Sequence, residues 1–236
     1  MLRKKINTIA IIIARGGSKR IPRKNIKLFN GVPIIKYSID AAIKSKIFDE
    51  VMVSTDDKEI AELAKINGAN VPFYRSKNNS DDYATTTDVI KEVLNFYEGQ
   101  MIEFQYGCCL YATSPFTTQQ ILRKSFSDLK ENNLEVIFPV IKYSHPIQRA
   151  FNLKKNRNIE FLFEQNISER TQNFKEAYHD AGQFYWFDTK KIKKNQNLLS
   201  GKSSAFQVSE LEFHDIDNTD DWKLAEIKYK HLNNLL

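Results

Sequence analysis

The sequence predicts an α/β fold, a mostly parallel β-sheet with helices on both faces. Three observations carry that expectation. Apolar β-branched runs alternate along the chain with segments whose apolar residues recur at three-and-four spacing. The runs at 8–14 and 106–111 read as a buried and a central strand. The residues with the most chemistry follow the ends of strand candidates, where open parallel sheets bind ligands.

The elements follow in order. After the strand at 8–14, Pro33 opens a helical pattern over 34–44, suiting its preference for the first helical turn. A strand at 51–54 leads to a helix over 58–66 that Gly68 can stop. A short strand is expected at 71–74. Val89, Ile90, Val93, Leu94 and Tyr97 mark a helix over 87–97. The strand at 106–111 precedes a helix at 119–130 and a strand at 136–140. Alternation then fails from 141 to 173, where polar residues and short apolar pieces mix around Pro146. Strands resume at 183–187 and 205–208. A last helix has Thr219 as its expected cap, Asp220 and Asp221 in its first turn, and runs to about Leu232. The arrangement is Rossmann-like, a single domain over 1–236, with 141–172 read as an inserted dimerisation segment.

The 236 residues are enough for one large α/β domain, and a 42% hydrophobic share supports a substantial core. The net charge of +6 is punctate rather than a stripe interleaved with aromatics, which argues against nucleic-acid binding. Cys108 and Cys109 are neighbours in a strand and point to opposite faces, so they share neither a metal nor a structural disulfide. They read as small apolar residues in a reducing compartment. With no signal-peptide pattern and no membrane span in the sequence, the expected location is cytoplasmic.

The densest signal lies where the first strand ends. Six basic residues fall between Arg15 and Lys27 with no acid among them, around the adjacent Gly16 and Gly17. Glycines let a backbone approach an anion closely, and exposed N–H groups form an anion-binding concavity. Six like charges in a solvated turn would repel, so something anionic is expected there. The spacing fits neither a Walker A loop nor a dinucleotide fingerprint. The pattern from Ala14 through Arg15, Ser18, Lys19, Lys24 and Asn25 resembles the nucleotide loop of the CMP-nonulosonic acid synthetase family of cytidylyltransferases. The resemblance implies that these five residues bind CTP.

Further matches follow the other strands. Ser54, Thr55 and Asp56 match a family S-T-D and also read as a helix cap box. Arg75, Asp82 and Thr86 reproduce the family spacing of an Arg that contacts the cytosine, an Asp, and a hydroxyl near base and ribose. Threonines there are also ordinary caps. Tyr111 and Ala112 stand where the family's sialic-acid synthetases carry Gln and Pro, and that Gln helps hold the sugar. Asp215 and Asp217 flank Ile216, and in an extended chain both carboxylates share one face with Ile216 turned to the core. Solvated acids before a helix look the same, but the family places its metal-binding D-x-D here, which implies Mg²⁺. The segments 111–116, 145–150 and 178–186 are most similar to the pseudaminic acid branch, and the resemblance runs from about Thr8 to Glu226.

The expected activity is therefore CMP transfer from CTP to a nine-carbon 2-keto sugar acid, pseudaminic acid foremost, with pyrophosphate as leaving group. N-acetylneuraminic, legionaminic or 3-deoxy-manno-octulosonic acid are the alternative substrates, and a non-catalytic nucleotide-binding regulator is the alternative class. Arg15, Lys19, Lys24 and Asp217 are the expected catalytic set. Arg170, aligned with a family arginine, is expected to bind the sugar carboxylate, and the protein is expected to be a homodimer. Gln183 and His179 are expected to reach acylamino oxygens, and Phe184, Tyr185 and Trp186 to offer apolar surface to the sugar's methyl or to pack the core.

Overall fold

The computed structural model describes residues 4–194 and 197–235. In chain order its elements begin with strand β1 (Lys4–Ile13), then a short antiparallel hairpin of β2 (Leu28–Phe29) and β3 (Val32–Pro33). Helix α1 (Ile34–Ser45), β4 (Glu50–Ser54), α2 (Lys58–Ile66), α3 (Thr86–Gly99), β5 (Ile102–Tyr111), α4 (Gln119–Glu131) and β6 (Val136–Lys142) follow. The second half holds β7 (Phe151–Leu153), β8 (Ile159–Phe161), β9 (Tyr178–Asp180), β10 (Phe184–Asp188), α5 (Thr189–Lys194), β11 (Ser203–Gln207) and α6 (Thr219–Leu232).

Seven strands form one sheet in the order β11-β6-β10-β5-β1-β4, with β9 also on β6. β1, β4, β5, β6 and β11 run in one direction, and β9 and β10 run against them. The sheet is thus mixed but mostly parallel, with β10 and β5 central and β4 at one edge. β1 shows why it is buried on both sides. Ala10 and Ile12 join α1, α2 and α4 in one apolar cluster, while Ile9 and Ile11 join α3 and α5 in the other. Cys108 and Cys109 divide between the same two clusters, both as free buried thiols. A third cluster binds α6 to the β2–β3 hairpin through Ile216, Trp222, Phe29 and Ile34.

Several expectations change. No strand forms at 71–74; only an isolated bridge joins Asn70 to Met52. Pro72 has no N–H to add to a ladder, and Phe73 instead stacks on Phe96, ring centroids 4.4 Å apart. The last helix is capped by Asn218, not Thr219: its side chain accepts from the N–H groups of Asp220 and Asp221. Helix α5 was not legible beforehand. In the irregular stretch a β7–β8 hairpin and short 3₁₀ turns form, with Phe151, Leu153 and Ile159 exposed. Phe184 and Trp186 are fully buried and Tyr185 nearly so, so packing of the core, not a surface for a methyl group, is what these three aromatics provide.

Candidate active site

A cleft of about 310 Å³ opens beyond the C-terminal ends of β1 and β5. Arg15, Ser18, Lys19, Lys24 and Asn25 line one wall, and Arg75, Asp82, Thr86 and Tyr111 the other. Nine of the sequence candidates therefore meet in one place. The phosphate-loop candidates are local in the chain; the opposite wall comes from three separate segments.

The loop is held by its own backbone and by the turn after β4. Ala14 N–H donates to the Ser54 carbonyl at 3.0 Å, and Gly16 N–H to Asp56 Oδ1 at 2.9 Å. A Cβ on Gly16 would come within 2.8 Å of Asp57 Oδ2, so the close approach of these two turns requires glycine. Asn25 donates its amide to the Arg15 carbonyl at 2.8 Å and so closes the loop. Asp57 caps α2 by accepting from Ile60 N–H at 3.0 Å. It also pairs with Arg23, which holds its carboxyl below the usual range. The cap of α2 thus falls to Asp57, while Asp56 steadies the loop through Gly16 N–H.

The six-residue cationic cluster is not left uncompensated. Asp82 accepts from Arg15 at 2.9 Å and pairs with Lys19, and these two cations hold its carboxyl below the usual carboxylate range. Asp217 pairs with Arg20, and Lys24 Nζ lies 3.9 Å from its other oxygen. Burial pushes the Lys24 ammonium pKa down, against the pull of Asp217 and Asp215. The anion that the sequence demanded is thus supplied in part by the fold itself.

Arg75 is 7% exposed. Its Nε donates to Ser54 Oγ at 3.0 Å and its Nη2 to the Ser54 carbonyl, which fixes the guanidinium at the end of β4. Burial lowers its pKa, and Asp56 opposes that. Thr86 is the first residue of α3, behind a capping box of Thr85 and Asp88. Its Oγ1 lies 2.9 Å from the Tyr111 hydroxyl.

Five candidates stand outside the cleft lining. Asp217 touches it through Arg20 and Lys24. Asp215 is exposed, next to buried Ile216. Together they offer two hard oxygen donors and no nitrogen or sulfur, and among the described residues no third His, Cys, Asp or Glu completes a cage. That set suits Mg²⁺, which takes one or two carboxylates and fills its octahedron with water and phosphate. Gln183 is buried at 4% exposure; it donates Nε2 to the Glu212 carbonyl at 2.7 Å, and its Oε1 has no partner. His179 packs edge-on against Phe213. Arg170 precedes a 3₁₀ turn in the irregular segment and is exposed. Sequence reasoning missed the Arg20–Asp217 and Tyr185–Asp180 pairs, since no local pattern marks which partner each side chain meets.

A nucleotide-binding α/β fold with a cationic cleft at its strand ends is the class these features define. The cytidylyltransferase family model matches residues 9–227. The pseudaminic acid cytidylyltransferase of Campylobacter jejuni is 41% identical over 225 residues, covering 95% of this chain and 97% of that one. The CMP-N,N'-diacetyllegionaminic acid synthase of Legionella pneumophila is 32% identical, with 95% and 97% covered. Among solved structures, a CMP:2-keto-3-deoxy-manno-octonic acid synthetase complexed with CTP superposes with a TM-score of 0.69 at 16% identity, covering 97% of this chain and all of that one. The chain belongs to the cytidylyltransferase family.

Proposed function

We infer that the protein transfers CMP from CTP to pseudaminic acid, giving CMP-pseudaminic acid and pyrophosphate. The observation that carries this is the meeting of the 15–25 cationic loop with Arg75, Asp82 and Thr86 across one cleft. Similarity to the Campylobacter jejuni enzyme supports the choice of sugar. The sugar's anomeric hydroxyl attacks the α-phosphorus of CTP, its oxygen forms the new P–O bond as its proton is released to water, and the bond to the pyrophosphate oxygen breaks. Charge gathers on phosphoryl oxygens, so catalysis is mostly positioning and cationic stabilisation. Arg15 and Lys19 face the phosphates, with Lys24 at the partly buried end of the cleft. Arg75 and Thr86 hold the base and ribose.

Asp215 and Asp217 would hold Mg²⁺, which would supply positive charge against the phosphate oxygens. Asn25 and Gly16 keep the loop in shape. The exposed Arg170 is assigned to the sugar carboxylate, reached by the 141–172 segment in a homodimer. With two buried free thiols, a reducing cytoplasmic setting suits the chain. Among the described residues no helix is long and apolar enough to cross a membrane.

The test is pyrophosphate release with CTP, Mg²⁺ and a panel of sugar acids. Pseudaminic acid should give the highest kcat/KM. A second reading, another nine-carbon sugar acid as substrate, is favoured by the Legionella pneumophila relative. An equal or higher kcat/KM for N-acetylneuraminic or legionaminic acid would select it. No release with any sugar acid would leave only a nucleotide-binding regulator.

A further inference from the structure

Asp82 reaches the cationic loop from across the cleft and takes up two of its charges. Its Oδ1 accepts from Arg15 Nη1 at 2.9 Å, and its Oδ2 pairs with Lys19. The same Arg15 nitrogen donates to the Asp81 carbonyl at 2.9 Å. Arg15 and Lys19 are the side chains that face the phosphates of the nucleotide, and all three residues line the cleft. A phosphate oxygen offers these cations the same kind of charged acceptor as a carboxylate oxygen.

The turn that carries Asp82 keeps its own shape. Asp81 Oδ1 accepts from Tyr83 N–H at 2.9 Å and from Ala84 N–H at 2.8 Å. Little apolar packing ties this turn to the core: residues 81–83 are exposed, Tyr83 to 91%. Exposed ion pairs are weak, and a segment with few buried contacts opens easily. Asp82 can therefore leave the loop cations without disturbing the sheet. A polyphosphate seated on Arg15 and Lys19 brings several negative charges beside this carboxylate, and like charges repel. The two anions compete for the same pair of cations.

We propose that Asp82 is a resident competitor of the polyphosphate: it gives up Arg15 and Lys19 as the nucleotide enters and takes them back as pyrophosphate leaves. Its return offsets part of the cost of stripping the product from the two cations. The nucleotide also has its base and ribose held by Arg75 and Thr86, contacts that pyrophosphate lacks. The same competition thus leaves the substrate bound and lets the product go. Asp82 touches no reacting atom and acts through Arg15 and Lys19, as a positioning residue. The inference rests on the cleft being the nucleotide site.

Calorimetric titration without sugar acid or Mg²⁺ tests it, with inorganic pyrophosphate and CTP as probes. Asp82→Asn should bind both about three- to tenfold more tightly than the wild type, the worth of two exposed ion pairs no longer given up. Pyrophosphate should become a stronger product inhibitor of turnover by the same factor. Asp82→Glu should bind as the wild type does. In a Lys19→Ala background the gain from Asp82→Asn should shrink, because one of the contested cations is gone. Asp81→Asn removes the same charge one residue away while its oxygen still shapes the turn, and it should change little. An equal gain in Asp81→Asn would reduce the effect to general charge and overturn the proposal. Unchanged or weaker pyrophosphate binding by folded Asp82→Asn would overturn it too; weaker CTP binding alongside would make Asp82 a nucleoside contact instead. If Asp82→Asn does not fold, Asp82→Ser makes the same test. A wild type that binds neither probe, with or without Mg²⁺, would instead remove the nucleotide reading beneath the proposal.

Discussion

The cleft and the irregular segment at 141–177 both carry dense charge, and they compensate it differently. In the cleft, loop cations meet carboxylates brought from far along the chain: Arg15 and Lys19 meet Asp82, Arg20 meets Asp217, and Arg23 meets Asp57 and Glu59. In the irregular segment Lys142 also reaches Glu176, 34 residues away, but the other partners lie nearer in sequence or are backbone carbonyls. Lys154 pairs with Glu160 across the β7–β8 hairpin, and Arg149 donates to the carbonyls of Ile167 and Glu169. Arg170 makes no side-chain pair among the described residues, and apolar side chains beside it stay exposed. The cleft is electrostatically prepared by the fold of one chain. The irregular segment keeps Phe151, Leu153, Ile159, Leu162 and Ile167 on its surface.

The largest break in this contrast is expected from Asp217→Asn. An amide cannot supply the negative charge that Mg²⁺ requires, so turnover should fall to the level seen in EDTA while the melting temperature stays close to wild type. Full activity of the variant, or of the wild type in EDTA, would take the metal out of the mechanism. Next comes Lys19→Ala, which removes one charge-assisted contact to phosphate, about 1.5–3 kcal/mol, or roughly 10- to 100-fold in kcat/KM. Its side chain is 76% exposed, so its pair with Asp82 adds little to stability. Near-full turnover at saturating CTP would show that Lys19 does not face the phosphates.

On the other side of the comparison, Leu153→Asp should act on assembly. Leu153 is 70% exposed on the β7–β8 hairpin, so a charge there is tolerated by the isolated chain and costly in an apolar interface. Light scattering should show the wild type as a dimer at micromolar concentration and the variant shifted to monomer, with an unchanged far-UV spectrum. A wild type that is monomeric and fully active would refute the assignment of this segment.

The smallest effect concerns acid. The Asp82 carboxyl titrates lower in the folded chain than in the unfolded one, because Lys19 and Arg15 favour its charged form. Its stabilisation is therefore present above the unfolded carboxylate value of about 3.9 and is lost as pH falls through the lowered folded value. The pair is exposed, so salt should weaken it. The melting temperatures of wild type and Asp82→Asn should converge as pH drops below about 4. Parallel curves across that range would mean the pair contributes nothing to folding.

Much of the fold was legible because burial on two faces writes a continuous apolar run, as in β1, and because caps and stops are local. Gly68 does sit in the left-handed region, at φ +89°, just past α2. Local reading failed where a neighbour decided the outcome. Pro72 and the Phe73–Phe96 stack removed the strand expected at 71–74. Asn218 took the cap from Thr219 because its side chain reaches two N–H groups of the first turn.

The α/β alternation, the cationic loop after β1, and the family, through the types and spacing of Arg15, Ser18, Lys19, Lys24 and Asn25, can be read from the order of residues alone. These are short-range properties, set by periodicity, by where glycine and charge fall, and by contacts within one loop. Folding in three dimensions settles that Asp82 and Asp217 balance that loop, that Arg75 is locked by Ser54, and that the aromatics after Gln183 belong to the core. It also pairs Thr86 with the Tyr111 hydroxyl and Tyr185 with Asp180. Most of these join residues that lie far apart in sequence and are brought together by strand order and register. A hydrogen bond or ion pair depends on ångström-scale placement that no local pattern encodes.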